Sequence, residues 1–156
     1  MDAEEEQRVS GRLMFDGVVL AYHLRGLAWE LPISRLVAVG EYTNANGPLV
    51  DDYYFVFVEV GGTCRQASFY AIDSMDTLAR LADVLKVELW PGLCSSAEWK
   101  TRVMWPEALR DQPLFELRDV AEELAGLASR VRRRLVGPQQ TVELSGAVQA
   151  LSEGAV

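Results

Sequence analysis

Three carboxylates, Glu41, Asp51 and Asp52, flank one loop between two runs of β-forming residues. With Asn44 and Asn46 between them, they offer oxygen atoms that a cation or a protein partner can use. However, "TNANGP" is composed of residues that readily reverse the chain between two strands, so a solvated turn accounts for the loop. A calcium site needs roughly six to eight oxygen ligands, and no EF-hand spacing is present. We therefore favour a solvated loop, with a weak cation site or a partner contact as alternatives.

Three tryptophans, Trp90, Trp99 and Trp105, lie in a connector rich in tryptophan and proline. Tryptophan is over-represented among the residues that dominate protein–protein binding energies, so this connector is a candidate contact surface. Tryptophan is also a large core filler, and packing over a sheet is the alternative interpretation.

A basic cluster near the end of an expected helix consists of Arg130, Arg132, Arg133 and Arg134. Cations near a helix carboxyl terminus are each favoured by about 0.3–1 kcal/mol, so stabilisation of the helix accounts for the cluster. The alternative is an anion-binding surface.

The sequence shows no recognisable catalytic group. His23 is the only histidine, and nothing in the spacing places it beside Cys64 or a serine with a third group to orient the ring. No GxSxG, phosphate-binding loop, HExxH or GxGxxG pattern occurs. A zinc site would lack ligands, and free cysteine is among the most buried residue types, so we interpret Cys64 and Cys94 as reduced, buried thiols, with a disulfide between them as the alternative. We therefore predict no familiar enzyme class, no cofactor and no metal.

Composition indicates an acidic globular protein of 156 residues, with 49% hydrophobic and 24% charged residues. Its formal net charge of −8 argues against nucleic-acid and anionic-membrane partners, which require cations on the protein. The amino terminus, "MDAEEEQR", is the reverse of a secretory signal, and no apolar run approaches the roughly 20 residues that span a bilayer. We therefore expect a cytoplasmic protein.

The first half of the chain predicts six strands followed by a helix. "GRLMFDGVVLAYHLRGLAWEL" indicates a β-meander, with turns at Asp16-Gly17 and Arg25-Gly26, and a further strand is expected from about 35 to 43. "YYFVFVEV" is apolar on both faces until Glu59, as in a strand that is covered on both sides, and "TCRQASFYAI" is expected to form the sixth strand. A helix with a leucine stripe is expected over about 74–87, with Asp73 or Ser74 as its cap.

The second half predicts a helical extension. Ser95 and Glu98 resemble a capping box, which predicts a short helix over about 96–104. Apolar residues at helical spacing predict a longer helix over about 118–135. The tail either adds an edge strand over about 142–148 or trails loosely. We divide the chain into a sheet with its helix, 1–88, and a connector, long helix and tail, 89–156, packed on the same domain.

This order resembles the bacterial pleckstrin-homology-like (PH-like) superfold, a bent antiparallel sheet or partly open barrel closed by an amphipathic helix. The resemblance is carried over about residues 13–85 by "LMFDGVVLAY", "LAWELPISRLVAVGEY", "DDYYFVFVEV" and "SMDTLARLADVL". It implies an α+β fold of about six to seven strands and a binding role, because families of this fold bind lipids, peptides or proteins. Its lipid-binding members carry basic residues around the first hairpin. Here that turn is Asp16-Gly17, so phosphoinositide binding is not expected.

The sequence thus predicts a non-catalytic binding module for protein recognition or self-association. One alternative is a small-molecule or anionic-ligand binding domain. Another is an unfamiliar enzyme that uses the loop of Glu41, Asp51 and Asp52.

Overall fold

The computed structural model of the chain describes residues 10–44, 51–93, 99–119 and 140–154. This part of the chain folds into strands β1 (Arg12–Phe15), β2 (Val19–His23), β3 (Leu27–Pro32), β4 (Leu36–Thr43), β5 (Tyr53–Glu59) and β6 (Cys64–Ser68), helix α1 (Ser74–Leu85), strands β7 (Lys100–Trp105), β8 (Phe115–Asp119) and β9 (Gln140–Leu144), and helix α2 (Gly146–Gly154). The expected order of six strands followed by a helix is therefore confirmed.

The described part of the chain has an α+β architecture whose strands form three sheets. Strands β1, β2 and β3 form one sheet in sequence order, the second sheet has the order β6-β5-β4-β7, and β8 pairs with β9. Every strand pairing among them is antiparallel, and one isolated parallel bridge joins Arg12 to Ile72. These strands do not close into a barrel. The α+β class is confirmed at this level.

The two predicted turns of the first sheet differ in their chemistry. Between β1 and β2, Asp16 accepts hydrogen bonds from the amides of Val18 at 2.8 Å and Val19 at 2.7 Å. These bonds lower the pKa of Asp16, with the Val19 amide contributing most. Only Gly17 has a positive φ there, of 99°, whereas a type I′ hairpin turn needs a positive φ at both central residues. Between β2 and β3, both Arg25 and Gly26 have positive φ, as a tight hairpin turn requires.

The four-stranded sheet is covered on both faces, which explains why β5 is apolar on both faces up to Glu59. Phe55 and Phe57 join a cluster shared with the three-stranded sheet and α1, whereas Val56 and Val58 join a second cluster that includes Val148 of α2. All four β5 side chains are fully buried. The first cluster also contains Leu20, Tyr22 and Trp29, so bulky side chains of the three-stranded sheet pack in the same cluster as Phe55 and Phe57.

Helix α1 buries the leucine stripe that its sequence predicted. Leu78 and Leu81 are almost fully buried, and the Thr77 hydroxyl donates a hydrogen bond of 2.8 Å to the carbonyl of Leu13 in β1. The expected cap is absent, because Asp73 has a left-handed conformation with no side-chain capping bond. The Ser74 hydroxyl instead bonds to the carbonyl of Phe69 at 2.5 Å. Packing on β1 therefore holds the start of this helix.

The predicted helix over 96–104 is wrong, because residues 100–105 form β7. This strand pairs with β4 and buries Val103 and Met104 on opposite faces of the sheet. The local capping signal is outweighed by the burial of apolar side chains at the edge of an apolar sheet. Residues 94–98 lie outside the described part of the chain.

The carboxyl-terminal part of the chain also differs from the prediction. The long helix was expected to begin at about Arg118, but Phe115–Asp119 is strand β8, and the rest of the expected helix lies outside the described residues. An edge strand was expected over about 142–148, but β9 spans Gln140–Leu144 and pairs with β8. Residues 146–148 belong instead to helix α2, which was not predicted. Neither helix described by the structure is long and apolar enough to cross a bilayer.

Candidate functional site

Glu41 is a fully buried carboxylate on the face of β4 that points toward the first cluster. Its Oε1 atom accepts hydrogen bonds from the amide of Gly92 at 2.8 Å and from Nε of Arg102 at 2.9 Å. Its Oε2 atom accepts a hydrogen bond from the hydroxyl of Tyr53. A buried charge is tolerated only when it is paired and hydrogen-bonded, and these three donors meet that requirement.

Arg102 lies directly opposite Glu41 in the ladder between β7 and β4, so the two side chains share one face of the sheet. Its Nη1 atom bonds to Asp111 at 2.8 Å, and its Nη2 atom donates to the carbonyl of Trp90. Burial opposes the charged form, but the hydrogen bonds to Asp111 and Glu41 outweigh it and raise the pKa of Arg102. The guanidinium therefore joins two strands to a loop.

The loop held by this pair is Leu89–Leu93, which we call the Trp90 loop. Leu89 is buried in the first cluster and Leu93 packs against that cluster, so both ends of the loop are anchored. Between them, the Trp90 side chain is 70% exposed. A Cβ atom at Gly92 would lie 3.2 Å from Cζ of Arg102, so glycine allows the guanidinium to pack closely against the loop. The loop thus presents an exposed indole from a fixed backbone.

A second arginine supports the chain just before this loop. Nη2 of Arg110 donates to the carbonyl of Glu88 at 3.1 Å and lies 3.0 Å from a carboxylate oxygen of Glu107. The backbone carbonyls of both Glu88 and Trp90 are therefore bound by guanidinium groups from the segment that includes and follows β7.

The three tryptophans of the connector occupy different environments. Trp90 is exposed, Trp105 is half-buried and packs against the first cluster, and Trp99 is half-buried. Among these three candidates, Trp90 has the exposure expected of a contact residue, and Trp105 has the packing role that was the alternative.

Asp51 and Asp52 form hydrogen bonds separate from those of Glu41. Asp51 accepts from the Ser10 hydroxyl at 3.1 Å, and Asp52 accepts from the Tyr70 hydroxyl at 2.6 Å. The backbone amide of Asn44 donates to the carbonyl of Asp52 at 2.9 Å. The bond to Asp52 raises the pKa of Tyr70 to about 12.

These contacts do not join the three predicted carboxylates into one group. The side-chain partners of Glu41 are Tyr53, Gly92 and Arg102, and neither aspartate bonds to any of them among the contacts described. Asn46 and the basic cluster Arg130, Arg132, Arg133 and Arg134 lie outside the described residues.

The remaining candidate residues are His23 and Cys64. His23 is half-buried at the end of β2. The prediction that Cys64 is a buried filler is wrong, because the residue is exposed on the edge strand β6. Its sulfur is nevertheless sheltered enough that desolvation raises the pKa of the thiol to about 11. Within the described ranges, no group of three or more His, Cys, Asp or Glu side chains is arranged to hold a metal ion.

An open groove of about 960 Å³ lies between β1 and α1. Its lining combines apolar side chains with three carboxylates and one guanidinium: Leu13, Met14, Phe15, Asp16, Asp73, Asp76, Thr77, Ala79 and Arg80. The groove is large enough for a small molecule.

Arg102, Gly92 and Asp111 were not predicted as site residues. The available signal was the alternation in "KTRVMW", where Arg102 and Met104 share one face once the segment is treated as a strand. The partner of Arg102 is distant in the sequence, so its ion pair required the tertiary structure. Comparisons of this chain with protein-family models, with curated proteins and with solved structures found no significant match.

Proposed function

We propose that this chain is a non-catalytic protein-recognition module and that the Trp90 loop is its contact surface. The proposal is carried by one observation: an indole that is 70% exposed lies between two anchored leucines. Tryptophan contributes large contact areas and is enriched at binding hot spots. The PH-like identity belongs to the same proposal and is supported by the order of six strands followed by α1.

A fixed loop is better suited to binding than a mobile one. Ordering a loop or a side chain during association costs free energy that is subtracted from the affinity. Leu89 and Leu93 are already packed, so a partner that covers Trp90 gains the burial of the indole without having to order the whole segment.

The test compares the wild-type chain with Trp90→Ala and with Leu27→Ala as a matched control. Leu27 is 55% exposed in β3, so its truncation removes exposed apolar surface from another element. Each chain is immobilised and incubated with native cell lysate, and captured proteins are quantified by mass spectrometry. Light scattering on the free chains reports self-association.

We expect Trp90→Ala to lose a specific partner, or the self-association, that Leu27→Ala retains. Both variants should keep their unfolding free energies within about 0.5 kcal/mol of the wild type, because the side chains are exposed. Undiminished capture of the same partner by folded Trp90→Ala would contradict the proposal.

The groove between β1 and α1 supports a second candidate function, the binding of a small molecule. A metabolite that raises the melting temperature of the wild type, but not that of Ala79→Trp, would favour it, because Ala79 is an exposed lining residue and the larger side chain fills the groove. This result, together with an absence of any specific partner, would replace the protein-recognition proposal.

A further inference from the structure

The Trp90 loop receives its two polar attachments from a single buried ion pair. Glu41 accepts the amide of Gly92, and Arg102 donates to the carbonyl of Trp90. The Oε1 atom that accepts the Gly92 amide also accepts Nε of Arg102, so both attachments share one charged centre. The position of the loop backbone therefore depends on the geometry of this pair.

The pair is itself held rigidly by the sheet. Glu41 and Arg102 are opposite residues in adjacent strands of a sheet that is covered on both faces. Glu41 is fully buried and the Arg102 side chain is 20% exposed, so the hydrogen bonds that Glu41 accepts from Arg102 and from the Gly92 amide are partly shielded from competing water, whereas those from Arg102 to Asp111 and to the Trp90 carbonyl are exposed. The planar guanidinium places donors in fixed directions, here toward Glu41, Asp111 and the Trp90 carbonyl.

The structure assigns Glu41 and Arg102 the role of positioning residues for the Trp90 surface. This inference rests on the proposed function, because it concerns the same contact surface. The ion pair holds the Trp90 loop in its binding geometry, and partner affinity depends on the pair although neither charged group needs to touch the partner. Gly92 contributes to the same arrangement, because a side chain at this position would contact the guanidinium of Arg102 too closely.

The experiment must separate positioning from general stability. Arg102→Met removes the guanidinium, and Arg102→Lys keeps the positive charge but loses the planar set of hydrogen-bond donors. Leu78→Ala is a control variant that is chosen to lose a similar amount of stability. Leu78 is buried in α1, and truncating it costs stability while it leaves the hydrogen bonds from the Glu41–Arg102 pair to the loop in place. All measurements are made well below the melting temperatures, where every variant is folded.

Two readouts report on the loop without any partner. Exchange of the Gly92 amide with solvent is followed by NMR, and the mobility of the Trp90 side chain is followed by ¹⁹F NMR of fluorotryptophan-labelled protein. Trp90→Phe assigns the indole resonance. We expect Arg102→Met to accelerate Gly92 exchange by about tenfold or more and to narrow the Trp90 resonance, with Arg102→Lys intermediate. Leu78→Ala should leave both signals at wild-type values.

The third readout is the affinity for a partner identified by its dependence on Trp90. We expect Arg102→Met to weaken this binding by about tenfold, mainly through faster dissociation, while Leu78→Ala binds like the wild type. Equal effects of Arg102→Met and Leu78→Ala on Gly92 exchange and on the Trp90 signal would overturn the positioning role. A mobilised loop with no Trp90-dependent partner would instead contradict the proposed function and leave the mechanical role of the pair standing.

Discussion

Replacing Arg102 should lower the free energy of unfolding far more than its position on a strand at the sheet edge suggests. Arg102→Met keeps the apolar stem but leaves Glu41, which is fully buried, without its cation. Breaking a buried ion pair by deleting one partner costs about 3–5 kcal/mol. Tyr53 and Gly92 still donate to Glu41, and Arg102 is not fully buried, so the lower end applies. We expect a loss of about 3 kcal/mol.

The measurement is urea denaturation followed by circular dichroism. The dependence of the unfolding free energy on urea concentration should be the same for the variant and the wild type, which confirms that the same transition is observed. For a chain of this length, each kcal/mol shifts the melting temperature by about 2–4 °C, so the expected decrease is roughly 6–12 °C. The double variant Glu41→Gln/Arg102→Met should be more stable than Arg102→Met by about 1–2 kcal/mol, since it removes the unpaired charge.

Arg65→Met is the matched control for this prediction. Arg65 also pairs with a buried carboxylate, that of Glu59, but its side chain is 38% exposed and Arg35 remains as a second cation. Its loss should cost no more than about 1 kcal/mol. If Arg102→Met costs as little as Arg65→Met, or if the double variant is no more stable than Arg102→Met alone, the assignment of a buried, coupled ion pair is refuted.

Three further predictions address other parts of the structure. Gly40→Ala should destabilise the chain by about 1–3 kcal/mol in the same urea assay, because its Cβ would lie 2.6 Å from a methyl group of Leu114. Gly146→Ala is the control and should be tolerated, because a Cβ there meets no atom within 4 Å. Burial raises the pKa of Tyr42 from 10.0 to about 12, so the folded state holds this proton more tightly and the free energy of unfolding should fall as the pH rises from 10 to 12. The fall should be smaller in Tyr42→Phe, and a variant with the same pH profile as the wild type would contradict this prediction. Alkylation of Cys64 near pH 8, measured in a Cys94→Ser background, should be slower than in an unfolded control, because the pKa of the thiol is raised to about 11 in the folded chain. Equal alkylation rates would show that the thiol is not sheltered.

Local sequence patterns predicted the strands, helices and turns that are determined by residues close together in the chain. The apolar run of β5, the leucine spacing of α1 and the turn at Arg25-Gly26 each carry a signal within a few neighbouring residues. In each case the periodicity or the backbone preference agrees with the burial that the fold supplies, so the prediction and the structure coincide.

The elements that the sequence misjudged depend on distant partners. Ser95 and Glu98 resemble the start of a helix, yet residues 100–105 pair with β4 and become a strand. The strand is stabilised by cross-strand packing that no short window contains. For the same reason α2, which packs Val148 against the second cluster, was not anticipated.

The candidate site divides along the same physical line. The sequence by itself identified Glu41 and Trp90 as notable, because an acidic residue near a loop and a tryptophan beside a proline are visible as residue types. Only the tertiary structure decided that Glu41 is buried against Arg102, that Trp90 is exposed, and that one ion pair links them. Burial and charge pairing arise from contacts between segments far apart in the chain, and local periodicity carries no information about which distant segments meet.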